Sequence, residues 1–194
     1  ATTRLYRWWT VPGLNDSDAT PLAIGAHVLG GLASSRLDNQ LVKGEQLAVS
    51  VTAQVQQLSQ LGFFEVTADV RPGVDPAVVS KRLDEILADY IAKGPTADEV
   101  QRVAISDVSA RIGGLEQVGD SGGKAAMLGQ GLLYSNDPGH YKKELAEIAA
   151  ATPEKVRVAM GKWLTRPVFA LSVVPGERDA YEEGGATAKP DRKS

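Results

Sequence analysis

The sequence predicts an α+β fold, a two-layer sandwich in which a mostly antiparallel sheet carries helices on one face. Two observations predict it. Segments that alternate apolar and polar residues, the pattern of half-buried strands, lie near both ends of the chain, and segments with helical periodicity are grouped between them. The 194 residues, 43% hydrophobic and 23% charged, have an ordinary globular composition and the length of one large domain.

The N-terminal segment predicts a strand followed by a helix. Residues 4–11, RLYRWWTV, are rich in aromatic side chains and end at Pro12-Gly13, which is typical of a strand with Trp9 on one face and Trp8 on the other. Pro21 is compatible with a first helical turn, where its missing N–H has no helical partner to lose. The apolar residues at helical spacing that follow are Leu22, Ala26, Leu29 and Leu32.

The chain then switches to a period of two, which predicts a β-hairpin. Residues 48–56 and 63–70 each alternate apolar and polar side chains, and residues 57–62 connect them. We therefore expect two antiparallel strands, each with one buried face. The apolar residues of the expected buried faces are Val49, Val51, Ala53, Val55, Phe64, Val66, Ala68 and Val70.

Four more helices are predicted from their first residues. Asp75-Pro76, Asp137-Pro138 and Thr152-Pro153 each place a capping residue before a proline, which is tolerated in a first turn. Thr96 and Glu99 have the spacing of a capping box, in which each side chain satisfies a free backbone N–H.

Two further segments complete the predicted order β-α-β-β-α-α-α-α-β. Residues 119–131 are rich in glycine and separate two of the predicted helices. Residues 168–174 are almost continuously apolar, which favours a central strand buried on both faces, and Pro175-Gly176 ends it.

We expect one domain over residues 1–180 and a linker or tail over residues 181–194, since EEGGATAKPDRKS has no apolar periodicity. The chain begins at Ala1 without Met or a signal-peptide pattern, so it is predicted to be a fragment or a processed chain. No apolar run reaches the ~18–20 residues that a membrane helix needs.

Composition excludes several function classes. The formal net charge of −3 and the pI near 5.5 disfavour a nucleic-acid partner, which requires a basic surface. The chain has no cysteine, which excludes disulfides, a thiol nucleophile and thiolate zinc sites.

A phosphate-binding loop is the first local candidate. SGGK at Ser121 resembles part of a P-loop, but Val118 stands at the position of the first glycine and Ala125 replaces the hydroxyl residue. A glycine-rich bend between helices explains the segment better.

The remaining local candidates also have simpler structural explanations. His140 and Glu144 share a helix face, but two ligands hold zinc poorly. His27 lies on a mostly apolar helix, and Ser34-Ser35 suits helix capping better than a catalytic triad. The Trp8-Trp9 pair is more typical of sheet packing than of a sugar or peptide platform.

Five segments together resemble the pitrilysin/insulinase family of zinc metallopeptidases. LGGLASSRL begins at Leu29, and QL at Gln40 and LAVSV at Leu47 follow it. GPTADEV at Gly94 and ATPEKV at Ala151 are similar to two of the family's helix starts. The resemblance spans residues 4–176, since residues 168–175 are similar to the family's closing strand.

The resemblance implies a clamshell of homologous α+β domains around a peptide chamber. In such proteins one domain carries H-x-x-E-H and a distant Glu, which bind zinc and supply the general base, and another carries an Arg and a Tyr that reach the substrate carbonyl. Here the matching run is HVLGG at His27, with Gly30 and Gly31 in place of the Glu and the second His. The same alignment puts Val42 and Val49 at the Arg and Tyr positions, where valine cannot donate to an oxyanion. The resemblance therefore implies no catalytic and no metal-binding residue in this domain.

The resulting prediction is a non-catalytic domain of a zinc metalloendopeptidase, itself inactive. It would pack on a homologous zinc-bearing domain, in the same chain or in a partner subunit, and wall part of the chamber that encloses a peptide substrate. No cofactor is expected in this domain, and zinc is expected in its sister.

Three alternatives remain open at this point. The first is a non-proteolytic scaffold or assembly subunit of the same family. The second is a binding module unrelated to the family, and the third is a stand-alone hydrolase with an unrecognised site. Bacterial relatives of the family are often exported, and the lack of cysteine permits a periplasmic or exported location, which is favoured over the cytoplasm.

Overall fold

The computed structural model describes residues 2–119 and 122–176 and confirms the α+β fold. Residues 181–194, predicted to be a linker or tail, lie outside the described residues, as does Ser121 of the glycine-rich motif. The strands are β1 (Arg4–Pro12), β2 (Ala48–Gln57), β3 (Leu61–Val70) and β4 (Phe169–Val173). Within the described residues they form one antiparallel sheet in the order β2–β3–β1–β4.

The helical layer packs on one face of this sheet and buries the core. The helices are α1 (Ala19–Ala26), α2 (Pro76–Lys93), α3 (Ala97–Glu116), α4 (Lys124–Ser135), α5 (His140–Ala149) and α6 (Pro153–Leu164). Two π-helical turns, His27–Gly31 and Asp38–Gly44, lie between α1 and β2. Apolar residues of α1, α2, α6 and both turns join those of β1, β2 and β3 in one core. None of the helices in the described part of the chain is long and apolar enough to span a bilayer.

Three of the four predicted caps are present where their helices begin, and the fourth is wrong: α5 begins at His140, three residues after Asp137, and has no side-chain cap. The Asp75 carboxylate accepts a hydrogen bond from the N–H of Ala77 at 2.9 Å, and Thr152 caps α6. Thr96 and Glu99 form the complete capping box of α3. These local contacts satisfy N–H groups that the first helical turn leaves free, so these three helix starts are encoded locally.

Gly122 and Gly123 lie in the connection between α3 and α4, as predicted for the SGGK motif, whereas residues 124–131 belong to a helix that the sequence did not predict. Helix α4 begins at Lys124 and continues past Gly131 to Ser135, because alanine, methionine and leucine outweigh the glycines within it. Gly131 has a packing role: a Cβ there would lie 2.5 Å from the carbonyl oxygen of Asp137. The chain reverses directly after the helix, at Asn136, whose left-handed φ of 52° ends α4.

The last strand lies at the edge of the sheet, so the prediction of a central strand for residues 168–174 was wrong. Among the described strands β4 pairs with β1 alone, and all five of its residues are exposed. Phe169, for example, is 58% exposed. Continuous apolarity therefore indicated a strand correctly, but the helical layer does not reach far enough to cover it.

The β2–β3 hairpin has the predicted buried faces with one exception. The pairing shifts between Ala48 and Ser50, so Val49 occupies a β-bulge and is 52% exposed. A bulge adds a residue to one strand, which turns the side chain away from its expected face. The alternation of Val49 with its neighbours therefore predicted burial wrongly.

Candidate functional site

One face of the sheet is left uncovered by the described residues, and its side chains form rows straight across the strands. We call this the outer face. The register aligns one residue each from β2, β3, β1 and β4 in every row. The rows are Gln54, Glu65, Trp8 and Phe169; Thr52, Thr67, Tyr6 and Leu171; and Ser50, Asp69, Arg4 and Val173.

The polar side of the outer face is held by hydrogen bonds between neighbouring strands. The Thr52 and Thr67 hydroxyls lie 2.6 Å apart. Asp69 accepts from Arg4 Nε at 2.6 Å and from the Ser50 hydroxyl at 2.7 Å, and the hydrogen bond with Arg4 lowers the pKa of Asp69. These cross-strand contacts fix the positions of the polar groups although no other element covers them.

The other side of the outer face is aromatic and aliphatic. The Trp8 ring stacks on Phe169 with 5.7 Å between centroids and an interplanar angle of 9°, and the Tyr6 ring lies 5.2 Å from Trp8. Leu171 and Val173 continue this apolar side along β4 and are exposed. The Trp8-Trp9 pair thus divides between two environments: Trp9 is buried beneath the helices, and Trp8 faces outward.

The Glu65 carboxylate lies at the boundary between the two sides. It accepts hydrogen bonds from the Gln54 amide at 2.9 Å and from the Trp8 indole N–H. Both donors are neutral, and within the described ranges no lysine or arginine nitrogen lies within 4.0 Å of Glu65. Among the residues that the structure describes, the outer face therefore carries a fixed negative charge at Glu65 that no lysine or arginine neutralises.

On the helix side of the sheet, two of the motif segments meet in an ion pair. Arg36 from LGGLASSRL donates two parallel hydrogen bonds to Glu99 of GPTADEV, Nε to Oε1 at 2.8 Å and Nη2 to Oε2 at 2.7 Å. Arg36 Nη2 also donates to the Gly94 carbonyl at 3.0 Å, and its guanidinium lies 4.9 Å from the centroid of the Tyr90 ring. These motif residues tie the π-helical turns to α3, so their role here is structural.

The electrostatics of this ion pair favour the charged state of both partners. Burial raises the pKa of Glu99, but hydrogen bonds from Arg36 and Thr96 outweigh it and hold the pKa at about 2. The hydrogen bond with Glu99 raises the pKa of Arg36. Tyr90, whose hydroxyl donates to the Gly25 carbonyl at 3.1 Å, has its pKa raised by burial.

The run HVLGG forms the π-helical turn that follows α1, and this turn lies against β2. A Cβ on Gly30 would stand 2.5 Å from the backbone nitrogen of Ala53, and a Cβ on Gly31 would stand 2.8 Å from the His27 ring. The position that the resemblance assigns to the general-base Glu thus has no room for a side chain in this backbone. Glycine is needed here for the close approach of turn and strand.

His27 is the single member of the metal motif that remains, and it contacts a carboxylate rather than another ligand. Its Nδ1 lies 3.1 Å from Asp107 Oδ1 on α3, and this hydrogen bond raises the pKa of His27. Among residues 2–119 and 122–176, no group of three or more His, Asp or Glu side chains could hold a metal ion.

The resemblance assigns the Arg and Tyr positions to Val42 and Val49, which lie on different elements. Val42 is on the second π-helical turn and packs against the core. Val49 lies in the exposed bulge of β2. Aliphatic side chains at these positions can pack but cannot donate a hydrogen bond to a substrate.

The other candidates from the sequence are not assembled into a site. His140 Nε2 lies 3.9 Å from Glu144, which also pairs with Arg111. The hydroxyl of Ser35 is buried without a hydrogen-bond partner in the described structure, so it does not cap the following turn as predicted.

Sequence reasoning missed one polar residue inside the core. Arg7 alternates with Leu5 and Trp9, and it is only 5% exposed. Its guanidinium donates to Asp84 at 2.8 Å and to the Ser80 hydroxyl at 2.7 Å, so it fastens β1 to α2. The signal was present in the alternation, because Arg7 shares the face of the apolar residues.

Comparison with known proteins gives a consistent assignment. Residues 1–106 match the family model described as the peptidase M16 inactive domain. An uncharacterized zinc protease of Streptomyces coelicolor is 31% identical over 172 residues, which cover 87% of this chain and 36% of that protein. The chain therefore spans about a third of the length of this relative.

Two solved structures share the fold. The inactive peptidase domain of a zinc protease from Bordetella parapertussis has a TM-score of 0.79 at 21% identity, covering 94% of this chain and 95% of that one. A chain of Candida albicans complex III2 has a TM-score of 0.72 at 12% identity, covering 89% of this chain and 43% of that one. At these identities the likenesses concern the fold alone.

Proposed function

We propose that this chain, which belongs to the peptidase M16 inactive-domain family, is the non-catalytic half of a zinc peptidase. Its outer face then forms part of the wall of the peptide chamber. The observation that carries this proposal is the outer face itself. Its polar side chains are fixed by cross-strand hydrogen bonds and its aromatic side chains are stacked, yet no described element covers them. An ordered sheet face that no element covers is suited to bind a peptide substrate reversibly.

The absence of catalytic side chains at the motif positions supports the non-catalytic assignment. Gly30 is packed against the backbone of β2, and Val42 and Val49 offer no polar atoms. We therefore assign zinc binding, water activation and carbonyl polarisation to other domains of the parent protein. The contribution of this domain is enclosure of the substrate and exclusion of water from the reaction.

The edge strand supports packing on a homologous sister domain. Within the described residues β4 has one hydrogen-bonded neighbour, and Val168 and Ala170, which lie outside the rows of the outer face, are exposed. Exposed, apolar edge strands invite aggregation unless another element covers them. A zinc-bearing sister domain placed along β4 would cover this edge and hold the outer face toward the shared chamber.

A reconstitution experiment tests the proposal. The chain is assayed alone and mixed with the zinc-bearing domain of its parent protein, with cleavage of a fluorogenic unfolded peptide as the readout. We expect no cleavage by the chain alone and chelator-sensitive cleavage by the pair. Cleavage or stoichiometric zinc in the chain alone would contradict the proposal.

A paired substitution tests the role of the outer face. Thr67→Arg places a long cation in the middle of the outer face, and Ser106→Arg makes the same change on the exposed side of α3. We expect Thr67→Arg to lower cleavage by the pair severalfold without weakening complex formation, and Ser106→Arg to leave cleavage unchanged. Equal effects of the two substitutions would remove the outer face from the proposal.

The second candidate function is a non-proteolytic scaffold, favoured by the shared fold with a chain of complex III2. The same reconstitution separates the two functions. A stable complex whose partner binds no zinc and cleaves no peptide supports the scaffold.

A further inference from the structure

We propose that the outer face contains a subsite for a basic peptide side chain, built around Glu65, and that it selects peptides in which a lysine or arginine stands near an aromatic or large aliphatic residue. This inference rests on the proposed function, since it names the substrate class of the same surface. It depends on the charge, the surroundings and the spacing of Glu65.

The charge of Glu65 is the first element. Of the ionised side chains in the three rows, Arg4 and Asp69 neutralise each other through hydrogen bonds of 2.6 and 2.8 Å. Within residues 2–119 and 122–176, the donors to Glu65 are the neutral side chains of Gln54 and Trp8. The Glu65 carboxylate is therefore held in place while its charge is left for a ligand, and the complementary ligand is a cation.

The surroundings of Glu65 are the second element. Trp8 stands opposite Glu65 on β1, and Phe63, 42% exposed, stands two residues away on the same face of β3. A basic side chain has a long apolar stem below its charged group. Its stem would pack on the aromatic rings while its ammonium or guanidinium reaches the carboxylate. A small inorganic cation has no apolar stem and would not make the contacts with the rings.

The spacing to the apolar side of the face is the third element. Tyr6, Leu171 and Glu65 line one shallow depression of about 630 Å³. Neighbouring strands lie roughly 4.8 Å apart, and alternate residues of an extended peptide lie roughly 6.7 Å apart. Tyr6 lies one strand across and one row along from Glu65, roughly 8 Å away by these spacings. An extended peptide that places a cation over Glu65 therefore places its residue two positions away beside Tyr6, where an apolar side chain fits.

The test uses the 194-residue chain and short unstructured peptides. The reference peptide is Gly-Ser-Lys-Gly-Phe-Ser-Gly, and its variants carry Gln or Glu for Lys, or Ser for Phe. Binding is followed by NMR through the indole N–H resonance of Trp8, which is assigned with Trp8→Phe. We expect the Lys peptide to bind about two- to fivefold more tightly than the Gln peptide, as for an exposed ion pair, and the Phe-to-Ser peptide to bind more weakly as well.

Variants of Glu65 identify the carboxylate. Glu65→Gln should remove the preference for Lys over Gln, and Glu65→Lys should reverse the order so that the Glu peptide binds best. Glu116→Gln, the same charge change at the exposed end of α3, should leave the preference intact. Circular dichroism of each variant verifies folding.

The possible results separate this inference from the proposed function. If peptides shift the Trp8 resonance but Glu65→Gln and Glu65→Lys leave the Lys preference unchanged, the basic subsite is wrong and the chamber wall stands. If no peptide shifts the Trp8 resonance, both are wrong, because the outer face then does not contact peptide.

Discussion

Glu65 and Glu99 are two carboxylates on opposite sides of the sheet, and their surroundings differ in one decisive respect. Each accepts hydrogen bonds from several groups. Glu99 is bonded to the guanidinium of Arg36, whereas the donors to Glu65 in the part of the chain that the structure describes are the neutral side chains of Gln54 and Trp8. A carboxylate whose charge is neutralised inside the fold stabilises that fold. A carboxylate that is oriented but not neutralised on an open face remains available to a ligand.

The largest expected effect comes from breaking the neutralised pair. Arg36→Ala leaves Glu99 partly buried without its cation and removes the bond to the Gly94 carbonyl, so we expect a loss of about 3 kcal/mol in the free energy of unfolding. Urea denaturation at neutral pH measures it. Arg82→Ala, which removes an exposed arginine paired with Glu45, should cost less than about 1 kcal/mol and serves as the control. Equal losses would show that the Arg36 pair has no special structural role.

The next effect concerns the turn that the Arg36 pair holds in place. Gly30→Ala puts a Cβ at 2.5 Å from the backbone nitrogen of Ala53, so the turn and β2 must separate, at a cost of about 2 kcal/mol. Gly161→Ala on α6, where a Cβ meets open space, should stabilise by about 0.5–1 kcal/mol because alanine favours the helix. Unfolding midpoints of the two variants should therefore move in opposite directions. A tolerated Gly30→Ala would show that the turn has room for a larger residue.

The charge of Glu99 gives the third prediction, a pH dependence. Its pKa of about 2 in the folded protein lies below its ordinary value near 4.5, so its contribution is present above about pH 4.5 and is lost as the pH falls toward 2. The stability difference between the wild type and Glu99→Gln, about 1 kcal/mol at neutral pH, should shrink over this interval. A difference that stays constant down to pH 2 would contradict the ion pair.

The smallest expected effect concerns His27, the remnant of the metal motif. The hydrogen bond with Asp107 raises the pKa of His27 above 6.5, so its stabilisation is complete below pH 6.5 and is lost as the pH rises through the folded value. Asp107→Asn should cost at most about 0.5 kcal/mol at pH 6 and less at pH 9. The pKa of His27, followed by NMR, should fall in this variant. An unchanged pKa would remove Asp107 as the partner of His27.

Local sequence patterns were sufficient for most strands and helix starts. The alternation of residues 63–70 and the capping residues Asp75, Thr96 and Thr152 act through neighbours only a few positions away, so each can be recognised in isolation. The proposed loss of the metal motif is also a local inference, since Gly30 and Gly31 carry no ligand atoms.

The errors arose where a local signal had two physical meanings. The apolar residues 168–174 are compatible with a central strand or with an edge strand that a partner covers. In the structure they form an edge strand, because the helical layer of this domain does not extend over β4. The glycines of residues 119–131 suit either a bend or a helix that other chain segments approach closely, and Gly131 shows the second. The bulge at Val49 depends on the register with β3, which alternation within β2 does not contain.

The sequence alone thus specified most of the strands and helix starts, because these depend on residues only a few positions apart. Tertiary structure alone decided that Arg36 meets Glu99 across 63 positions and that Glu65 stands beside Trp8 across 57. Residues so far apart become neighbours only after strands pair and helices pack, and the balance of charge at each carboxylate is set by those neighbours.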